Sequence, residues 1–184
     1  MAIHAGRHHL DTERGRIVLI TQRDGLAAQA GHDLTLEPAR WSGELVVSGE
    51  LRPERLEVRI DLGSLVVRDG SGGLKPLTDR DKREIAVTAR KVLGSDRHPE
   101  ATFVATDFQP AGDGGVISGT LTLAGRSRPL RVDVSQTGSG DYRATASVRQ
   151  SEFGIRPYSA FLGSLKVRDA VGVTAEVSLP DESE

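Results

Sequence analysis

His32 beside Asp33, in the run Ala30-Gly31-His32-Asp33-Leu34, is the pairing in this chain with the clearest claim to chemistry. An imidazole next to a carboxylate is the smallest unit of general acid/base work, and it is also half of a metal site. A metal needs three or four ligands. The other histidines, His4, His8, His9 and His98, fall in an N-terminal tail or a polar turn without ligand spacing. His8-His9 reads as a floppy surface pair, so no metal is expected. His32 fits a satisfied structural histidine better than a base, and Arg80-Asp81 and Arg168-Asp169 read as surface or hydrogen-bonding pairs.

Nucleophile and nucleotide signatures fail on inspection. Neither Asp69-Gly70-Ser71-Gly72-Gly73 nor Thr137-Gly138-Ser139-Gly140 satisfies Gly-x-Ser-x-Gly, and neither precedes a helix in the required strand-to-helix turn. There is no phosphate-binding loop and no dinucleotide fingerprint, so no cofactor is expected. The absence of cysteine excludes disulfides, thiolate metal sites and a thiol nucleophile. Basic residues number 24 against 26 acidic ones, for a net charge of −2. The arginines are scattered among acidic neighbours, which leaves no basic footprint for nucleic acid. The first ten residues hold no apolar stretch of the roughly 7–15 residues a secretory signal requires. A bilayer-spanning helix would need roughly 20 apolar residues, and no run approaches that length. The chain therefore reads as cytoplasmic, without stable membrane insertion.

The elements that must position any site are strands. Leu56, Val58, Ile60 and Leu62 alternate with Glu57, Arg59 and Asp61, the signature of a strand with one wet face. The same period recurs at Leu45 to Leu51, Ile117 to Leu123, Leu130 to Val134, Tyr142 to Val148 and Val171 to Leu179. Arg16 to Gln22, Ala101 to Phe108 and a continuation at Leu165 to Arg168 bring the expectation to about eight strands. Tight turns such as Gly112-Asp113-Gly114-Gly115 and Gly138-Ser139-Gly140 make the sheet antiparallel. One-faced strands in succession must bury that face, and a closed barrel does so without leaving exposed edges. One segment breaks the period: Thr78 is placed to cap a helix from Asp79 to Leu93, with Ile85, Ala89, Val92 and Leu93 on one stripe and Gly94 to end it. The preceding Arg68 to Lys75 is glycine-rich and reads as a mobile loop. The whole chain, 1–184, is expected to form one such domain with an acidic tail at 180–184.

A barrel of about eight strands is just wide enough to be filled by its own side chains or to hold one small ligand. Aromatics make up only 4% of the chain, and Gly49, Gly119, Ala144, Ala146 and Ala175 occupy inward positions, so side chains alone leave an extended interior unfilled. The alternative is that the helix and loops plug it. Phe153 to Leu165 concentrates aromatics beside glycines and Pro157 and is expected to bend around one end, as pocket wall or as core plug.

Four segments, read in order, resemble the YceI-like family of polyisoprenoid-binding proteins: Arg97 to Phe108 (RHPEATFVATDF), Ile117 to Val134 (ISGTLTLAGRSRPLRVDV), Arg149 to Tyr158 (RQSEFGIRPY) and Lys166 to Leu179 (KVRDAVGVTAEVSL). The N-terminal stretch containing Gly31-His32-Asp33, followed by WSGEL, is similar to the branch of this family that carries a Gly-His-Asp sequence. The resemblance spans roughly Gly15 to Leu179. It departs in lacking the secretory leader of some members and in the length and polarity of the Gly70 to Gly73 loop. It implies an extended, lipocalin-like antiparallel barrel holding an amphiphilic isoprenoid along its axis, and it implies no catalytic residues.

The expected function is therefore non-catalytic binding, carriage or sequestration of an isoprenoid quinone, polyprenyl or other long-chain lipid. The expected channel residues are Val47, Leu56, Val58, Ile60, Phe103, Phe108, Leu121, Leu123, Phe153, Tyr158, Phe161 and Leu162, with His32 and Arg80 as candidate headgroup contacts. Two alternatives stand beside it: an enzyme acting on a bound apolar molecule with His32 as acid/base, and a plugged barrel serving as a stress-related interaction module. A homodimer is compatible with all three.

Overall fold

The structure, a computed structural model, describes residues 3–179. The acidic tail at 180–184 lies outside the described residues. The strands are β1 (Gly6–Asp11), β2 (Gly15–Thr21), β3 (Arg23–Asp24), β4 (His32–Pro38), β5 (Trp41–Val47), β6 (Pro53–Asp61) and β7 (Leu65–Gly72). After the helix α1 (Asp79–Val92) come β8 (Glu100–Ala111), β9 (Gly114–Leu123), β10 (Arg126–Gly138), β11 (Asp141–Arg149), β12 (Ser159–Ala160), β13 (Leu165–Val167) and β14 (Ala170–Ser178). Eleven strands form the main sheet in the order β1-β5-β6-β8-β9-β10-β11-β14-β2-β4-β7, all antiparallel, and β12-β13-β3 form a small sheet of their own.

The registers show how the eleven strands make a ring. β4 and β5 together run against β7 and β6 together, from His32↔Gly72 through Pro38↔Leu65 and Trp41↔Ile60 to Val47↔Pro53. They are two long strands, each broken once, at Ala39-Arg40 and at the 3-10 turn Leu62–Ser64. β1 and β2 form a third, running against β5 from Gly6↔Val47 to Asp11↔Ser42 and against β4 from Leu19↔Leu36 to Thr21↔Leu34. β2 also pairs with β14, from Gly15↔Val177 to Ile20↔Gly172, so the last strand closes onto the first. The barrel thus has eight positions around its circumference, and the larger strand count comes from three interrupted strands and the small accessory sheet.

Alternation fixes which side chains face inward. β5 buries Trp41, Gly43, Leu45 and Val47 and sets their neighbours outward. In β8 the register shifts between Ala105 and Asp107, a bulge that adds one residue. Phe103 and Phe108 therefore face the same interior despite their odd spacing.

The helix ends where chemistry says it should. The Thr78 hydroxyl accepts the Asp81 N–H, and the Asp81 carboxylate accepts the Thr78 N–H at 2.8 Å, a complete capping box. Leu93 is the C-cap, one residue short of the expected end, and Gly94 follows in the left-handed conformation. Ala86 is buried with Leu36 and Val67, which lays α1 against the free edge of β7. A second gap opens where β10 and β11 splay, since their pairing begins only at Asp133↔Thr145. The turn Gln150–Phe153 sits beside β10 there, with Phe153 and Ile155 buried among Leu121, Leu123 and Val148.

Two expectations are corrected. Residues 68–72 are strand, paired from Thr35↔Asp69 to His32↔Gly72, rather than a mobile loop. Glycine is needed at 72 and 73 because both hold left-handed backbone angles, φ 78° and 72°, that a side chain would strain. His8-His9 is likewise not a floppy pair. It lies in β1, where His8 is buried and its Nε2 meets the His4 carbonyl at 2.8 Å.

Candidate functional site

The inward faces do not meet across the barrel. They enclose a cavity of about 1250 Å³ that reaches from the β5–β6 turn and the Gly112–Gly115 turn at one end to Arg23, His32 and Lys75 at the other. Leu56, Val58 and Ile60 of β6, Phe103 and Phe108 of β8, Leu121 and Leu123 of β9, and Tyr158 line it, as the sequence leads one to expect. Ala144, Ala146 and Ala175 also face it, and their small side chains leave the space open. At Gly119 a β-carbon would lie 2.4 Å from the Phe103 ring, so that glycine gives the ring room on the wall.

Four of the expected residues do not line the cavity. Val47 is 3% exposed and is consumed in the packing of Leu10, Ile17, Trp41, Leu45 and Leu179. Phe153, 3% exposed, is consumed in the core beside the β10–β11 gap, packed among Leu121, Leu123 and Val148. Phe161 and Leu162 stand 69% and 107% exposed on a turn at the rim. Gly49 lies in the turn after β5 and not on an inward face. Arg80 is exposed and paired with Glu84 one helical turn away at 2.9 Å. Its position is absorbed by that i,i+4 pair.

The sequence reading missed part of the wall. β1, β4 and β7 show no long alternation by themselves, yet they bring Leu10, Leu34, Leu36 and Leu65 to the interior. The helix contributes Ile85, Ala89 and Val92. The signal in β4 is Leu34-x-Leu36 directly after His32-Asp33, short enough to be hidden by the flanking turn residues.

Charge is gathered at one mouth. The Arg23 guanidinium donates to the Gly31 carbonyl at 2.7 Å and lies 3.9 Å from Asp33, whose carboxylate also accepts the Arg23 backbone N–H at 2.8 Å. His32 Nε2 lies 2.7 Å from the Lys75 carbonyl, so the ring clasps the 73–77 segment across the opening. A carbonyl only accepts, so Nε2 carries the proton in that bond, and in the neutral ring Nδ1 keeps the lone pair. Hydrogen bonds from the Thr78 hydroxyl and then the Thr78 N–H hold the Asp81 carboxyl below the usual carboxylate range. Just inside the mouth, Thr21 Oγ1 is buried on the wall without a hydrogen-bond partner. Among the described residues no cluster of histidine and carboxylate could hold a metal, and no helix is long and apolar enough to cross a membrane.

An antiparallel barrel around an apolar cavity with a polar mouth defines the class: a barrel whose interior is consistent with binding a hydrophobic ligand. The chain belongs to the YceI-like domain family, whose family model matches residues 10–179. A UPF0312 protein of Pectobacterium atrosepticum is 29% identical over 87 residues, covering 42% of this chain and 45% of that protein. A UPF0312 protein of Pseudomonas aeruginosa is 31% identical over 88 residues, covering 43% and 46%. The chain thus matches just under half the length of these curated relatives. Among solved structures, BcnA of Burkholderia cenocepacia superposes with a TM-score of 0.64 at 15% identity, over 90% of this chain and 96% of that one. A YceI protein of Campylobacter jejuni gives 0.60 at 16% identity, over 80% and 85%. At such identities the likeness speaks for the fold alone.

Proposed function

We propose that this protein binds and carries a long-chain amphiphilic lipid, of isoprenoid quinone or polyprenyl type, without a catalytic step. The observation that carries the reading is the cavity: about 1250 Å³, walled by leucine, valine, isoleucine and phenylalanine. Pockets for drug-sized ligands run to roughly 300–1,000 Å³. A larger, elongated and apolar space suits a chain. Each buried methylene supplies about 0.8 kcal/mol of transfer free energy, so a few isoprene units suffice for useful affinity before ordering costs. Selectivity among chains is correspondingly low, since one methylene discriminates by only about 1–3 kcal/mol. The polar end of the lipid sits by Thr21, Arg23, His32 and Lys75, and the tail runs toward Leu121 and Phe108. His32 serves as a clasp and headgroup neighbour in this reading, because its Nε2 is held by a backbone carbonyl.

Native mass spectrometry of the purified protein, with organic extraction of its cargo, tests this directly. The expected result is a discrete adduct whose mass steps by isoprene units, and reduced uptake in Leu121→Trp or Val58→Trp while the circular dichroism spectrum stays native. A mass that remains that of the bare chain after incubation with quinones and polyprenyl lipids would sink the proposal.

A further inference from the structure

Beyond the cavity, the rim at its charged mouth carries apolar side chains that nothing in the protein covers. Leu26 is 99% exposed, Leu162 is 107% exposed, and Phe161, Leu74 and Tyr158 are exposed beside them. They are brought to one place by backbone contact. The Ala27 N–H donates to the Ser164 carbonyl at 2.8 Å, β13 pairs with β3 through Lys166↔Asp24, and Ser164 N–H donates to the Phe161 carbonyl. Leu74 precedes Lys75, whose carbonyl His32 holds.

Three further features distinguish this rim from scattered surface leucines. First, Phe161 and Leu162 hold left-handed backbone angles, φ 50° and 54°, that bulky residues rarely adopt. The turn accepts that conformation and points both side chains away from the core. Second, Leu26 and Leu162 are almost wholly exposed, so their side chains are free to enter a soft apolar phase. Third, the segments bearing them, 22–27, 70–77 and 156–168, contain Arg23, Lys75, Arg156, Lys166 and Arg168 against Asp24 alone, in a chain of net charge −2. Asp33 behind the rim pairs with Arg23 and cancels its charge, which leaves Lys75, Arg156, Lys166 and Arg168 against Asp24 and Asp169.

We infer that this rim docks the barrel mouth onto an anionic lipid bilayer. Apolar tips ringed by Lys and Arg match the two layers of such a surface: the side chains enter the boundary between headgroups and acyl chains, and the cations face the anionic headgroups. The inference rests on the surface alone and is independent of what the cavity holds.

The test is co-flotation with vesicles of equal parts phosphatidylcholine and phosphatidylglycerol, beside pure phosphatidylcholine. The wild type floats with the anionic vesicles, and the bound fraction falls with salt. The double variant Leu26→Ser, Leu162→Ser weakens binding about tenfold or more, as expected for withdrawing two apolar tips from an apolar phase. Neither residue lines the cavity, so uptake of phenylnaphthylamine from water is unchanged in that variant. Phe161→Trp gives an independent readout: Trp41, the chain's one native tryptophan, lines the cavity, so the quenching by brominated phosphatidylcholine in excess of the wild type's reports position 161. Absence of vesicle binding by the wild type, equal binding by the double variant, an unquenched tryptophan at 161, or a rim occupied by a second copy in sedimentation overturns the inference.

Discussion

The outer face of the barrel gives one residue a measurable task. Glu176 on β14 accepts hydrogen bonds from Arg143 of β11 at 2.7 Å and from Arg16 of β2 at 2.8 Å, tying together the strands on either side of it. Arg143 first, and Arg16 second, hold its carboxyl below the usual carboxylate range. A carboxyl lowered on folding contributes stability that is complete above its unfolded value and is lost as pH falls through its folded value. The wild type is therefore expected to lose melting temperature on acidification more steeply than Glu176→Gln in parallel thermal scans, with the difference shrinking in high salt. At this scale the sequence was partly legible. His32-Asp33 stood out as a pair, yet its partner at Lys75 could not be read, because a bond between residues so far apart along the chain depends on the β4–β7 register.

Elements were read best where the pattern is long. The alternation of β6 and β9 leads directly to cavity-lining residues, because period and burial coincide there. β7 is hard to read because glycine at 70, 72 and 73 imitates a loop, while Gly72 and Gly73 are there for the left-handed backbone that ends the strand. The aromatics between Phe153 and Leu165 read as a group, as pocket wall or as core plug, whereas the turn at Gly154 sends Phe153 into the core and the left-handed turn at Phe161-Leu162 sends those side chains to solvent. No periodicity encodes such a split. The helix itself yields a prediction. Thr78→Ala removes the capping box and should cost about 1 kcal/mol in a urea titration, and Thr78→Ser should retain most of it. A full-strength helix in Thr78→Ala would mean that packing of Ala86 on Leu36 and Val67 alone sets its stability.

Across the whole molecule, occupancy and stability are linked. A lipid that enters the cavity of the folded barrel and ignores the unfolded chain raises stability by about 2.7 kcal/mol at a hundredfold excess over its dissociation constant. The melting temperature should therefore climb with added polyprenyl lipid, and Leu121→Trp should flatten that climb. Eight positions around the barrel were legible from the alternation, but the three interruptions were not, since each lies in a turn that looks like a strand end. The closing pair has a further consequence. Because β14 meets β2 from Gly172↔Ile20 to Val177↔Gly15, the ring depends on contacts between opposite ends of the described chain. Such contacts delay folding, since the loop-closure entropy must be met before they contribute. During synthesis, residues 15–20 wait for the last strand to emerge, and the interior stays open along that seam. An apolar chain lying in the half-built trough at that moment is enclosed by the closing strand, so loading can accompany folding and need not await a finished barrel.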